Sequence, residues 1–417
     1  MSLFDKVKEQ LAACVVSNTR DIIPPDGDAY FGLPKPYSVP TPGTTFREMY
    51  YWDSYFTNIG FLAVGNVEQA KNNAENILYL IERFGFMPNG SRTRYLYHSQ
   101  PPFFAQMVKE IFDADGDLDF LARAYAAMKK EYAYWTENRN FPSGLAHYGF
   151  LAIDRNLQET RKGVWERRTG LKADDDIRIN VGNFIGDCES GWDCNPRWES
   201  HSYLYESPDL NALLWNLEAR LAEFAQILGN GEALKWKDVA DRRQRLMCER
   251  LWNADRKCFI DRNYETDLYG EVFSAAAFYP MYFGMLTKEQ AEATVQKLSL
   301  LEHEYGIVPC EAYHGEGTFQ WAAPNVWPCI QWMVIGALLR YGYETEAARL
   351  AKQYVDLVEK VEQETGQLWE KYNADTGSTD VAAEYKMPPM MGWTAGIYLK
   401  CKVLLSQTFA ELCVKNV

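Results

Sequence analysis

An all-α fold is predicted by three observations. Apolar residues recur at helical spacing through most of the chain, strand-like alternation is scarce, and Gly and Pro signals fall between the periodic segments. The clearest segment is 66–84, where Val67, Ala70, Ala74, Ile77, Leu78 and Ile81 lie three or four apart, with Asn66 and Gly85 as caps. The same spacing predicts helices over 103–112, 118–136, 209–228, 232–252, 288–300, 324–341, 344–362 and 389–405. Asn89-Gly90, Asp115-Gly116, Gly229-Asn230-Gly231, Gly366 and Pro388-Pro389 mark the breaks. Residues 140–208 are the longest stretch without a helical period and are expected as an irregular loop region, the kind that is usually functional or disordered. Its charge runs, Arg161–Arg168 and Asp174–Asp176, read as solvated. With no low-complexity linker, residues 1–417 are expected to form one domain.

Composition narrows the partners. The chain is 47% hydrophobic and 24% charged, a globular balance, and its formal net charge of −14 opposes nucleic acid or an anionic membrane. No uncharged apolar run reaches the ~20 residues of a membrane span. Nine scattered cysteines without metal-ligand spacing fit free thiols, and charges in the first six residues do not suit a signal peptide. These features predict a cytoplasmic location. Asp113-Ala114-Asp115-Gly116-Asp117 resembles the start of a calcium loop, but Leu118 stands at its sixth position and Ala124 at its twelfth. It is read as a turn in which Asp117 or Asp119 caps the next helix. The five histidines have no zinc spacing, and no nucleophile elbow, phosphate loop or dinucleotide fingerprint is present. No cofactor or metal is expected, and the sequence leaves the oligomeric state open.

Aromatic residues make up 14% of the chain, and they concentrate around charges. Residues 46–56 combine Arg47, Glu48 and Asp53 with Phe46, Tyr50, Tyr51, Trp52, Tyr55 and Phe56. Rings that stack on C–H faces, beside charged groups that bind hydroxyls, suit a sugar; a buried Arg–Asp pair at a helix start is the structural alternative. Glu189-Ser190-Gly191-Trp192-Asp193 places a carboxylate beside a Trp in a Gly-loosened segment, where restricted water would raise its pKa for acid work. Asp193 pairing with Arg197 is the plainer reading. Trp369-Glu370-Lys371-Tyr372 repeats the theme, as do Glu384-Tyr385 and Gly392-Trp393. Two carboxyl groups facing a bound sugar are the minimum for glycoside hydrolysis. His98, between Tyr97 and Ser99, is a structural imidazole first and a substrate contact second.

Taken together, these segments resemble the trehalase-type glycoside hydrolases. Residues 42–55 are similar to that family's first signature, and Gly85–Arg92 with Ser99-Gln100-Pro101-Pro102 to its second sugar-binding block. Ser190–Asp193 with Arg197-Trp198 is similar to the general-acid block, Asp209–Ala212 to a recurring helix start, and Gln320–Trp327 to the second signature. Trp369–Tyr372 resembles the general-base block, and Glu384-Tyr385 with Gly392-Trp393-Thr394 the C-terminal one. The matches run in the family's order over about residues 42–398. The resemblance implies an (α/α)6 toroidal barrel of helical hairpins with a cleft at one end. It implies inversion, with Asp193 as general acid and Glu370 as general base. Phe46, Arg47, Trp52, Asp53, Asn89, His98, Gln100, Gly191, Trp321 and Glu384 would hold a small-molecule sugar.

Departures fall on one side of that pattern. His98 stands where the family has Arg, its Arg-Pro-Arg-Pro-Glu block is replaced by residues 154–187, and Ala322 and Val326 replace an Asp and a Gly. The first-glucose pocket is therefore expected intact and the leaving-group pocket rebuilt. Trehalose, glucosylglycerate, mannosylglycerate and other α-glucosides are all candidate substrates. An acidic aglycone would draw on Arg155, Arg161, Arg167, Arg168 and Arg178. A non-catalytic sugar-binding relative and a sugar isomerase or lyase are the alternatives from other classes.

Overall fold

Several helices begin or end where the sequence carries its capping chemistry. A computed structural model describes residues 1–417 except 44–45, 153, 170–171, 173–176, 199–200, 314–318, 382–385, 390–391 and 416–417, and omits the side chains of 168–169 and 408–415. Helices α1 (Leu3–Ala13) and α2 (Tyr51–Ala63) precede α3 (Val67–Phe84), which the Asn66 side chain caps at Gln69 N and Gly85 ends at a φ of 83°. After α4 (Phe104–Asp115), the Asp117 carboxylate accepts from the Asp119 and Phe120 amides and starts α5 (Leu118–Asn138), as its turn predicts. Next come α6 (Arg155–Thr169), α7 (Ile177–Ser190), α8 (Pro208–Leu228), α9 (Ala233–Arg250) and the single turn α10 (Tyr279–Tyr282). The chain finishes with α11 (Lys288–Val295), α12 (Pro328–Arg340), α13 (Glu344–Thr365) and α14 (Gly392–Lys415).

The helices form an (α/α)6 barrel. The inner ring runs α2–α4–α8–α10–α12–α14, each packed on the next, and α14 closes it against α2. Inner helices must be apolar on most sides. Every residue of α2 from Tyr51 to Phe61 except Asp53 is buried, as is most of α12. The remaining helices other than α6 and α7 form the outer layer: α3 packs on α2 and α4, α5 on α4 and α8, α9 on α8, and α13 on α12 and α14. These carry the one-sided apolar stripe that the periodicity revealed, such as Leu350, Ala351, Tyr354 and Val358 of α13. Among the described residues no helix is long and apolar enough to cross a membrane.

Several elements differ from expectation, among them α1 and α2, which the helical spacing did not mark. The stretch expected as an irregular loop holds α6 and α7, which pack on each other outside the ring. Their period is hidden because α6 is mostly charged around Leu157, Val164 and Trp165, whereas α7 is buried on nearly every side from Asn180 to Ser190. The helix expected over 324–341 starts later, at Pro328, because Asn325–Val326 pairs antiparallel with Tyr372–Asn373. The one expected over 288–300 ends at Val295 and resumes as a 3-10 turn over Leu298–Leu300.

Candidate active site

The N-terminus of α2 delivers the first part of the site. Asp53 lies in the first turn, where a carboxylate suits the helix dipole, and it faces a cavity deep inside the molecule. Burial is the main force pushing its pKa up to about 7. Its own backbone N–H opposes this, and the Glu370 and Asp193 carboxyls add to it. The Trp52 backbone N–H donates to Gln100 Oε1 (3.2 Å), which joins the first block to the second. Asn89 Nδ2 donates to the Cys188 carbonyl (3.3 Å), so the second block also meets the end of α7.

Asp193 sits on a tightly wound loop leaving α7. Gly191 has a φ of 74°, and a Cβ there would lie 2.6 Å from Cζ2 of Trp52, so the loop rests directly on that ring. Asn195 Nδ2 donates to the Trp192 carbonyl (2.7 Å) and its Oδ1 accepts from Arg197 N (2.9 Å), closing the turn beyond Asp193. The plainer reading of Asp193 as the partner of Arg197 does not hold. The buried Arg197 guanidinium makes paired bonds to Asp209 and Asp261 and lies between the Trp192 and Trp198 rings. Arg197 anchors the loop to α8 and leaves Asp193 at the cavity wall.

Glu370 enters from the connection between α13 and α14. It is 2% exposed, and Lys371 Nζ donates to its Oε2 (2.9 Å) and to Gln320 Oε1 (3.3 Å) while lying 4.4 Å over the Trp327 ring. Trp393 Nε1 donates to the Glu370 carbonyl and Thr394 Oγ1 to that of Trp369, fixing the segment to α14. Beneath the carboxyls lies a floor of indoles. Trp321 stacks on Trp327 (3.9 Å, 4°) and on Trp192 (5.6 Å), and Trp52 leans on Trp321 (5.4 Å).

These segments enclose a cavity of about 330 Å³, within the size of small-ligand pockets. Phe46, Trp52, Asp53, Asn89, His98, Gln100, Gly191, Asp193, Trp321 and Glu370 all line it. Arg47 does not: it is exposed, while its neighbour Phe46, at a φ of 52°, takes the place in the wall. Glu384 lies outside the described residues. His98 is buried, with Nδ1 3.0 Å from the Ser99 carbonyl, and burial pulls its pKa down to about 4, so a neutral ring faces the cavity. A further part of the wall contains Arg161 and Arg167, which the sequence offered for an acidic aglycone, but its helical and apolar residues were not foreseen. Leu157, Arg161, Val164 and Arg167 of α6 and Phe184 and Ile185 of α7 form it, joined by Arg94 and Tyr95 from the second block. The 157, 161, 164 spacing would have revealed a helical face had the surrounding charges not masked it. Among the described residues no group of three or more His, Cys, Asp and Glu could hold a metal ion.

The trehalase profile matches residues 9–404, nearly the whole ring. The chain belongs to the trehalase family. It is 30% identical to a periplasmic trehalase of Xanthomonas campestris pv. campestris strain B100 over 398 residues, covering 90% of this chain and 69% of that one. It is 31% identical to a periplasmic trehalase of Salmonella paratyphi C over 395 residues, covering 88% and 68%. Among solved structures, the neutral trehalase of Saccharomyces cerevisiae superposes with a TM-score of 0.75 at 26% identity, covering 97% of this chain and 80% of that one. A mannosylglycerate hydrolase from Thermus thermophilus shares the fold, with a TM-score of 0.67 at 16% identity and coverage of 96% and 100%. Membership of the trehalase family makes the chain a glycoside hydrolase acting on a small sugar. The cytoplasmic location expected from the cysteines and the N-terminal charges is corrected by these relatives, which are periplasmic trehalases. Cysteine pattern reports redox history only loosely: the described cysteines are free thiols, and most are buried.

Proposed function

We propose that this trehalase-family chain hydrolyses an α-glucoside with inversion, with trehalose as the first candidate substrate. The carrying observation is that Asp193 and Glu370, from opposite halves of the chain, line one cavity with Asp53 over a floor of indoles. In this reading Asp193 donates its proton to the glycosidic oxygen as the C–O bond breaks. Glu370 takes a proton from a water that attacks the anomeric carbon from the other face. Inversion needs the two carboxyls ~6.5–9.5 Å apart to admit that water. The Lys371 ammonium donates to Glu370 and orients it, as a base requires. The indoles stack on the sugar ring, and Asp53, Asn89 and Gln100 take its hydroxyls. The whole chain serves as the catalytic unit, and a pure binder would have no use for a base beside the acid.

A second reading of the leaving group is favoured by α6. Arg161 and Arg167 put guanidinium groups on the wall in a chain that is otherwise strongly acidic, while Arg94, also in the wall, is paired with Asp28. Arg161 lies 5.9 Å over the Phe184 ring. Such a wall accommodates an acidic aglycone, as in glucosylglycerate or mannosylglycerate. A hydrolysis screen of trehalose, both glycerates and α-linked glucobioses tests both readings. Cleavage of trehalose supports the first and preference for a glycerate the second, whereas no cleavage of any α-glycoside contradicts the proposal.

A further inference from the structure

Four residues before Asp193, the carboxylate of Glu189 is fully buried at the last turn of α7 and accepts five hydrogen bonds. They come from Ser99 N (3.0 Å), Tyr134 Oη (2.8 Å), Gly149 N (2.8 Å), and Arg139 Nε (2.8 Å) and Nη2 (3.1 Å). Those donors belong to three separate pieces of the fold: the block ending in Gln100, the end of α5, and the segment leading to α6. A carboxylate has about four lone-pair sites, so this one is saturated. Burial works to raise its pKa, but Arg139 and the hydrogen bonds outweigh that and hold it below the usual range. Arg139 is equally fixed, its guanidinium stacked near the Tyr134 and Phe150 rings. Only Ser190, Gly191 and Trp192 separate this anchor from Asp193, and Ser190 Oγ accepts from Trp192 N (3.0 Å).

We propose that Glu189 is a positioning residue that sets the acid loop against the sugar-binding block, so that Asp193 meets the glycosidic oxygen. Ordinary packing would hold α7 without requiring one carboxylate to join all three pieces. A general scaffold would serve every reaction of the site equally, whereas an acid-positioning group serves only those that need a proton. The inference rests on Asp193 being the acid.

The test uses two substrates on the full-length enzyme. An α-glucoside with a poor leaving group needs the proton, while α-glucosyl fluoride expels fluoride with little protonation and needs the base alone. Asp193→Asn first checks the underlying reading: it should lose activity far more on the glucoside than on the fluoride, and equal losses would remove that reading. Given that result, Glu189→Gln should lower kcat on the glucoside at least tenfold more than on the fluoride, with KM for the fluoride little changed. Glu189→Asp should recover part of the loss. Equal losses on both substrates, or no loss, would overturn the inference. Should Glu189→Gln fail to fold, Tyr134→Phe removes one donor without stranding the Arg139 charge. It should show the same bias at about threefold, and its absence would equally overturn the proposal.

Discussion

Asp53, Asp193 and Glu370 line one cavity, and each is held there by a different local device. Asp53 is pushed up to about 7 by burial and by its two neighbours. Glu370 is held by Lys371, and Asp193 by a loop resting on Trp52. Asp193→Asn and Glu370→Gln are each expected to lower kcat by ~10²–10⁴, the usual worth of a positioned acid or base, with substrate binding largely kept. Isothermal titration against the turnover assay checks both, and near-normal turnover in either variant would remove its assignment. Azide should not restore Glu370→Gln to a product of retained configuration. Gly191→Ala, whose Cβ would strike Trp52 on a loop at positive φ, should weaken sugar binding and turnover together. At this scale the Trp-flanked carboxyls Asp53, Asp193 and Glu370 were legible as candidates, and the fold brings them to one cavity, whereas Glu166 beside Trp165 is not part of its lining. Arg47 was not legible: adjacent residues face different ways, and the chain turns Phe46 rather than Arg47 into the wall.

Among the elements, the outer helices α3, α5, α9 and α13 were readable because each has one apolar stripe, whereas α2 and α7, buried nearly all round, show no period. The charged α6 was read as solvated although one of its faces forms a cavity wall. That face carries the specificity expectation of the second reading. Arg161→Gln should raise KM several-fold more for a glucoside with a carboxylate in its leaving group than for a neutral one, and steady-state kinetics on matched substrates checks this. The Arg197 anchor between the acid loop and α8 concerns stability instead. Removing the guanidinium of this buried cluster, as in Arg197→Ala, strands two buried carboxylates and should cost ~3–5 kcal/mol, seen as a fall in denaturation midpoint.

For the whole molecule, closure of the ring by α14 on α2 ties the last segment to the one that carries Asp53. Several carboxyls inside the ring titrate in unusual places. Burial raises Glu131 to about 8, despite its bond from Tyr51 Oη, and Glu218 to about 7 against the pull of Arg243. Above their ordinary value of 4.5 the unfolded chain has these groups ionised while the folded chain keeps their protons. The folded state therefore binds more protons, and the contribution of these carboxyls to stability is lost as pH rises from about 4.5 to about 8. Burial lowers His98 and His147 to about 4 from 6.5, so the unfolded state binds their protons first and their contribution to stability falls as pH drops below 6.5. Between about 4.5 and 6.5 the carboxyls and the histidines act with opposite sign and largely offset each other, so the melting temperature should fall chiefly as pH rises from about 6.5 to 8. Glu131→Gln should flatten the alkaline limb by up to about 1.4 kcal/mol per pH unit, which melting curves across pH would show.

The central claim is a glucose pocket in which a base-activated water inverts the anomeric centre, and it can be tested without knowing the leaving group. Following the hydrolysis of α-glucosyl fluoride by proton NMR reads the configuration of the first glucose released. β-Glucose appearing first, then mutarotating, is the predicted result; α-glucose appearing first would contradict the account.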